Sequence, residues 1–275
     1  MNGGLAIPNS VLPSARFYRR LTTLAGVLAA LAGFLVYLKI DPLAFIRDFH
    51  YVTNLVGEMV PPNLSLLWKK HDLWNSLLQT IAMAFLGTLV GACIAILLAL
   101  LAAGNTSPNK WLRLAVRSLL ATERCTPNIV VLLVLLIAVG IGPFAAMLSL
   151  CIGSIGMFGK LFADAVEQVD PAPGEAIAAA GADRLQIIRY AILPQVAPSI
   201  VANVFYAFDV NLRAAVALGV FGGGGIGFEL NLARSVLRYK DMLACMILIM
   251  ILINLMERVA DLFRKRLFAL EAELK

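Results

Sequence analysis

Residues 74–102 read WNSLLQTIAMAFLGTLVGACIAILLALLA and hold no charged side chain over 29 positions. A helix needs about 20 mainly apolar residues to cross the hydrocarbon core of a bilayer. Polar side chains such as Asn75, Gln79 and Thr80 are scattered through the run, and none of them is ionisable. The stretch therefore predicts a membrane-spanning helix, and the fold class depends on how many similar runs the chain contains.

The composition of the whole chain indicates the same class. Of the 275 residues, 60% are hydrophobic and 15% are charged, whereas soluble domains have about 25% charged residues. So few charges could not cover the surface of a soluble domain of this size. The composition excludes an ordinary cytosolic enzyme, a disordered chain and a nucleic-acid binder. The net charge of +6 is typical of basic residues on the cytoplasmic side of a membrane.

Six apolar runs qualify as membrane spans, and together they predict an all-α membrane protein with about six transmembrane helices. The third and fourth runs are separated only by Gly-Ile-Gly-Pro at 140–143, which predicts a tight hairpin. The runs are 21–39, 74–102, a segment within 114–140 that is clearest at 129–139, about 142–163, about 197–220 and about 242–260.

The distribution of lysine and arginine sets the predicted orientation. Arg16, Arg19 and Arg20 precede the first run, which is longer than the ~7–15 apolar residues of a signal peptide and lacks a cleavage site. An uncleaved first span with its N-terminus in the cytoplasm follows. Six spans then place 14 lysines and arginines on the inner side and 7 on the outer side, which supports this orientation.

This orientation divides the chain into three predicted parts. They are a cytoplasmic segment at 1–20, a transmembrane domain at 21–266 and a cytoplasmic tail at 267–275. A five-span alternative would move the basic residues of 221–240 to the inner side, so the side of that segment stays open.

A long loop at about 164–196 lies on the predicted inner side. An alanine-rich stretch begins at Glu175 and stops at Gly181, which favours a short helix, and two prolines before it favour a turn. Asp183 could cap a second short helix, which Pro194 would then end or kink before the next span. Such a helix–turn–helix could dock into a groove on a cytoplasmic partner; a plain connecting loop is the alternative.

This loop resembles the coupling loop of importer-type ATP-binding-cassette permeases, whose pattern is E-A-A-x3-G, nine further residues and I-x-L-P. The chain departs from the pattern with apolar residues at two positions, Ile177 and Ala191. The resemblance covers about residues 72–266 and is closest to phosphonate-type permeases, which also import phosphite or hypophosphite. The matching loop residues are Glu175, Ala176, Gly181, Leu193 and Pro194, and the matching stretches are 159–167, 206–213 and 222–227.

The resemblance implies a fold, a location and partners. It implies the importer-type permease fold, in the cell inner membrane, with a cytoplasmic coupling loop that contacts ATPase subunits. It implies a second permease copy or a similar permease, and a periplasmic or extracellular binding protein that delivers the substrate. It also implies no cofactor and no enzymatic activity of this chain, because ATP hydrolysis belongs to the separate ATPase subunits.

The fifth run carries polar residues within apolar sequence, including Asp209, Asn211 and Arg213. A charge at mid-membrane costs ~2.5–3.5 kcal/mol on insertion scales, so it should face the bundle interior and have a partner. Asp209 and Arg213 are four positions apart and share a helix face. They either hold the bundle together or line, with Asn211, a substrate pathway. In that pathway Arg213 would attract an oxyanion, and Asp209 would pair with it between substrates.

A glycine cluster follows the fifth run. It satisfies the spacing G-x-G-x-x-G, but the dinucleotide motif needs a strand–helix–strand unit, and this cluster lies between membrane helices. Glycine permits sharp bends and close helix packing. We therefore expect a hinge or gate here, with a passive loop as the alternative. The residues are Gly222, Gly223, Gly224, Gly225 and Gly227.

The sequence shows no catalytic or metal-binding arrangement. The two histidines, His50 and His71, lie in the predicted outer loop, and no zinc-binding spacing occurs.

The sequence predicts the membrane-embedded permease subunit of an ATP-driven importer for a small phosphorus oxyanion, with lipid around it and no nucleic-acid partner. A permease for another small solute, such as an amino acid, is the alternative. A proton-coupled transporter or an intramembrane enzyme is disfavoured, because no relay of carboxylates is visible.

Overall fold

The computed structural model describes residues 15–39, 41, 43–66 and 71–273. Every regular element in these ranges is helical, which confirms the predicted all-α class. Residues 1–14 of the predicted cytoplasmic segment, and the last two residues of the predicted tail, lie outside the described residues.

The chain divides into two units, Met1–Gly57 and Glu58–Lys275. The first unit holds α1 (Ala15–Tyr37), whose stretch Arg19–Tyr37 is long and apolar enough to cross a membrane. This confirms the predicted first span, and its large apolar side chains are exposed, as expected for a helix that faces lipid. Two shorter helices follow, α2 (Ala44–Arg47) and α3 (Phe49–Met59).

The described part of the second unit consists of nine helices and two π-helical turns. α4 and α7 pack along each other and α10 packs against both, around fully buried side chains such as Leu132, Leu150 and Leu212. The helices are α4 (His71–Ala102), α5 (Lys110–Arg124), α6 (Asn128–Val139), α7 (Pro143–Glu167), α8 (Pro171–Ala179), α9 (Arg184–Ile187), α10 (Leu193–Leu218), α11 (Gly225–Ser235) and α12 (Tyr239–Glu273). The π turns are Ile188–Ile192 and Gly219–Gly223.

Four of the predicted spans in this unit are confirmed. The helical stretches long and apolar enough to cross a membrane are Asp72–Ala102, Pro143–Glu167, Arg184–Gly223 and Tyr239–Phe263. The predicted hairpin before α7 is confirmed as well. Gly140 and Gly142 take the φ angles 102° and 151° there, which residues with a side chain rarely adopt.

The predicted third span is not one straight helix, and whether the bent pair found there forms a single span stays open. The chain forms α5 and α6 there, bent by 91°, and α6 with its 12 residues is about 18 Å long, short of the ~30 Å hydrocarbon core. Pro127 favours the break, because a proline disfavours helical backbone at the preceding residue. The described residues therefore contain five candidate spans, or six if the bent pair is one span.

The bent pair lies against α7, on a row of glycines. Small residues at such positions let helices approach closely. The side chains of Leu120, Glu123 and Asn128 lie over Gly159, Gly156 and Gly153 respectively. The break between α5 and α6 is therefore level with the middle of α7.

Contacts between distant segments define the two ends of the bundle. At one end the Gly104 amide donates to Glu167 at 2.5 Å, beside the loop that contains α8 and α9. At the other end the Asn63 side chain donates to Asp241 at 2.8 Å, and the Ile226 amide donates to Thr80. Residues 221–240 thus lie at the end opposite the predicted coupling loop, as the six-span prediction requires.

Candidate functional site

An ion-pair cluster joins α10 to α12. Arg213 Nη1 lies 2.9 Å from Asp209 Oδ2, one helical turn earlier, and Arg213 Nη2 lies 3.5 Å from Glu257 Oε2 of α12. The Asp209 side chain is only 13% exposed, whereas that of Arg213 is 47% exposed. The guanidinium is therefore held between two carboxylates, with one half of its surface open to a ligand.

Asp209 is incompletely satisfied in this cluster. Its second carboxylate oxygen, Oδ1, is buried and has no hydrogen-bond partner among the described residues. The ring of Phe208, its neighbour in sequence, meets Phe85 edge-on at 6.2 Å, which places the cluster level with the middle of α4. A buried carboxylate depends on its cation for stability, so Asp209 fixes Arg213 at this depth.

Asn211 faces away from this cluster, because two positions along a helix correspond to a rotation of about 200°. It is 6% exposed, and its amide nitrogen donates to Thr88 Oγ1 and Ser154 Oγ, each at 2.8 Å. These bonds join α10 to α4 and α7. The structure therefore brings Asp209 and Arg213 together and places Asn211 in the packed core.

Three residues were not predicted from the sequence, one in the ion-pair cluster and two that accept hydrogen bonds from Asn211. Glu257 could have been found as a carboxylate in the apolar sixth run, but its approach to Arg213 depends on how α10 and α12 pack. Thr88 and Ser154 give no signal in the sequence, because single hydroxyl groups are common in membrane helices.

The predicted coupling loop forms a helix–turn–helix, as its pattern predicts. Glu175 and Ala176 are exposed on α8, and Gly181 makes the turn with φ +90°. Asp183 caps α9 and shares a reciprocal pair of hydrogen bonds with Gln186. The first helix begins earlier than predicted, because Asp170 caps it.

The predictions for the prolines of this loop are wrong. Pro171 does not make a turn but occupies the first turn of α8, where its missing amide hydrogen has no cost. Pro194 does not end the helical run: the π turn Ile188–Ile192 continues directly into α10, which carries Leu193 and Pro194 in its first turn. The wider π turn accommodates the missing donor. The helical backbone consequently runs without interruption from Arg184 to Leu218.

The glycine cluster reverses the chain after α10. Gly222, Gly224 and Gly225 take φ angles of 103°, 76° and 68°, a left-handed region that strains other residues. The Ile226 amide then donates to Thr80 Oγ1 at 2.9 Å. Gly223 and Gly227 lie where an added Cβ would meet Ala146 or the backbone of α10. All five predicted glycines therefore belong to one tight reversal that packs on α4, α7 and α10.

The family of this chain follows from its sequence. A family model described as "Binding-protein-dependent transport system inner membrane component" matches residues 95–269, more than half of the chain. The chain belongs to this family. This confirms the resemblance to importer-type permeases and the location in the inner membrane.

Curated relatives carry names from phosphorus transport. The chain is 37% identical over 246 residues to the phosphate-import permease protein PhnE of Mycolicibacterium smegmatis, covering 89% of this chain and 46% of the relative. It is 34% identical over 227 residues to the phosphite transport system permease protein PtxC of Stutzerimonas stutzeri, covering 82% of this chain and 81% of the relative. The chain thus spans about half the length of PhnE.

A solved structure shares the fold. The inward-facing MetNI methionine ABC transporter matches with a TM-score of 0.63 at 20% identity, over 74% of this chain and 99% of the matched one. At this identity the match concerns the fold alone, and it agrees with the predicted importer-type permease fold.

Proposed function

We propose that this chain is the permease subunit of an ATP-driven importer for a small phosphorus oxyanion, such as phosphonate, phosphite or hypophosphite. The half-exposed Arg213 guanidinium at mid-bundle carries this proposal. Its exposed half would be available to an anion once one of its two carboxylates withdraws, and the relatives PhnE and PtxC are named for phosphate and phosphite transport.

The cluster suits a site that binds an anion only transiently. Asp209, Arg213 and Glu257 together carry one excess negative charge when all are ionised, so the arrangement with both carboxylates in place repels an oxyanion. Withdrawal of Glu257 with α12 would free one side of the guanidinium for the substrate. Return of the carboxylate would then displace the substrate, so Glu257 competes with it for Arg213.

The proposed partners follow from the two ends of the bundle. ATPase subunits would contact the exposed residues Glu175 and Ala176 and the turn at Gly181, and a binding protein would deliver substrate at the opposite end. A second copy or a similar permease would complete the pathway. Leu193 and Pro194 lie where this loop joins the span that carries Arg213, so ATPase movement would reach the substrate site along one helical segment. The glycine reversal at its far end would act as the hinge.

Growth on defined phosphorus sources tests the proposal. A host that metabolises phosphonate and phosphite but lacks importers for them receives this chain with a matching ATPase and binding protein. Growth should require the chain and should be lost in Arg213→Gln but retained in part by Arg213→Lys. If none of the three sources supports growth while all proteins reach the membrane, the phosphorus assignment is wrong, and uptake of amino acids becomes the next assay.

A further inference from the structure

A second charged site lies between α5 and α7, near the coupling-loop end of the bundle. It is a cavity of about 520 Å³, within the range of about 300–1,000 Å³ found for small-molecule sites. Its floor is apolar and formed by small side chains and Leu120. Its charged lining residues are Arg117, Arg124, Lys160 and Asp164.

Two of the three cations in this cavity form no ion pair among the described residues. Arg117 has protein partners: its Nε donates to the Ala102 carbonyl at 2.8 Å, and its Nη2 pairs with Glu167 at 2.5 Å. In the described part of the chain, no carboxylate oxygen lies within 4.0 Å of the charged nitrogens of Arg124 or Lys160.

Neither the helix dipole nor contact with water supplies an ion-pair partner for these two cations. The C-terminal dipole of α5 favours a cation at Arg124, and Lys160 is exposed and long enough to reach toward water, but neither effect provides a counter-anion. Asp164 is one turn from Lys160 without pairing with it. The neighbouring Glu123 interacts electrostatically with Arg124, but it lies over Gly156 and does not line the cavity. Charged residues in membrane spans almost always pair or face a cavity.

We propose that this cavity binds a phosphate group through Arg124 and Lys160. Two sources fit the chemistry: the headgroup of an anionic lipid, whose apolar part would lie on the alanine and leucine floor, and a free phosphorus oxyanion. Basic pockets between membrane helices on the cytoplasmic side are known to hold anionic headgroups. The site goes beyond the transport function, and its occupancy can be measured without transport.

Binding to the purified full-length chain tests the site. Native mass spectrometry would follow a titration with phosphatidylglycerol, with phosphatidylcholine as the neutral lipid. Inorganic phosphate at millimolar concentration would be added as a competitor. The variants are Arg124→Gln with Lys160→Gln, the charge-retaining pair Arg124→Lys with Lys160→Arg, and the control pair Lys110→Gln with Arg258→Gln, which removes the same charge outside the cavity.

The double glutamine variant should weaken phosphatidylglycerol binding about thirtyfold, at about fivefold for each basic side chain. The charge-retaining and control pairs should bind like the wild type. Competition by inorganic phosphate would identify a free oxyanion as a ligand, and its absence would identify the lipid headgroup. If the double variant does not fold, each single glutamine variant is tested instead, and each should weaken phosphatidylglycerol binding about fivefold. Equal binding by the wild type and the glutamine variants of the cavity, or an equal loss in the control pair, would overturn the proposal.

Discussion

Arg213 contacts its two carboxylates unequally. The 2.9 Å contact with Asp209 is a short charge-assisted pair, whereas the contact with Glu257 is 3.5 Å long and half-exposed at both side chains. Exposed ion pairs contribute about 0.2–1 kcal/mol, so Glu257 is the weaker partner and the one that a substrate can replace. Asp209, buried on one side, instead fixes the position of the guanidinium.

The substitution Glu257→Gln should therefore strengthen binding of the oxyanion. It removes one competing negative charge, and about 1 kcal/mol corresponds to about fivefold in affinity. We expect the apparent KM for uptake to fall two- to fivefold, measured in vesicles with saturating binding protein. Asp261→Asn, one turn further along α12, is a charge-matched control. An increase in KM for Glu257→Gln would show that Glu257 does not compete with the substrate.

Asn211 should matter for stability rather than for transport. Asn211→Leu keeps the approximate volume but removes both hydrogen bonds, leaving Thr88 and Ser154 without their buried donor. Loss of buried partners costs about 1–3 kcal/mol, so the midpoint of thermal unfolding should fall while the KM for uptake stays unchanged.

A matched control for this substitution lies two turns earlier on the same helix. Asn203 donates only within its own helix, to the carbonyl of Ser199 at 2.9 Å and to the Ser199 hydroxyl at 3.5 Å. Asn203→Leu should therefore change stability by less than about 0.5 kcal/mol. A rise in KM without loss of stability in Asn211→Leu would instead place Asn211 on the substrate pathway.

Among the elements, the glycine reversal after α10 combines left-handed backbone with little room for a side chain. Gly225 combines φ +68° with a position where an added Cβ would meet Thr80 Oγ1 and, at 2.9 Å, the Met83 Cε atom. Gly225→Ala should destabilise the folded state by about 1–3 kcal/mol, measured by thermal unfolding in detergent. Gly57→Ala, in helix α3 with no atom within 4 Å, should not destabilise; an equal loss at both positions would contradict the steric argument.

The sequence predicts elements better than it predicts their breaks. Apolar runs located five helices correctly because burial in lipid requires only length and apolarity. The run at 129–139 looked like part of a third span, and only Pro127 indicated the 91° bend. At Pro194 the error was in the other direction, because a helix end was expected and the helical run continues. The π turn before Pro194 accommodates the missing amide hydrogen. The pair of Arg213 with Glu257 could not be predicted, because it depends on packing between α10 and α12.

For the whole molecule, the central question is how the loop outside the membrane reaches the charged cluster inside it. α9, the π turn and α10 form one helical segment from Arg184 to Leu218. From Arg189 in the loop to Arg213 this segment extends about 36 Å at 1.5 Å per residue. The π turn and Pro198 lie within this segment, so a displacement of the loop would reach Arg213 along a continuous helix that can bend at these two positions.

The turn at Gly181 sets the angle at which the loop meets this long segment. Gly181 has φ +90° and no atom within 4 Å of an added Cβ, so Gly181→Ala adds backbone strain of about 1–2 kcal/mol without a clash. We expect uptake to fall five- to thirtyfold while the amount of chain in the membrane, measured by immunoblot, stays unchanged. Gly174→Ala is the matched control in α8, because its Cβ would meet Ile187 Cγ2 at an ordinary 3.6 Å and alanine favours the helix. Normal uptake in Gly181→Ala would show that the angle of this turn does not affect coupling of the loop to transport. A loss of uptake in both variants would show that the loop tolerates no added methyl group.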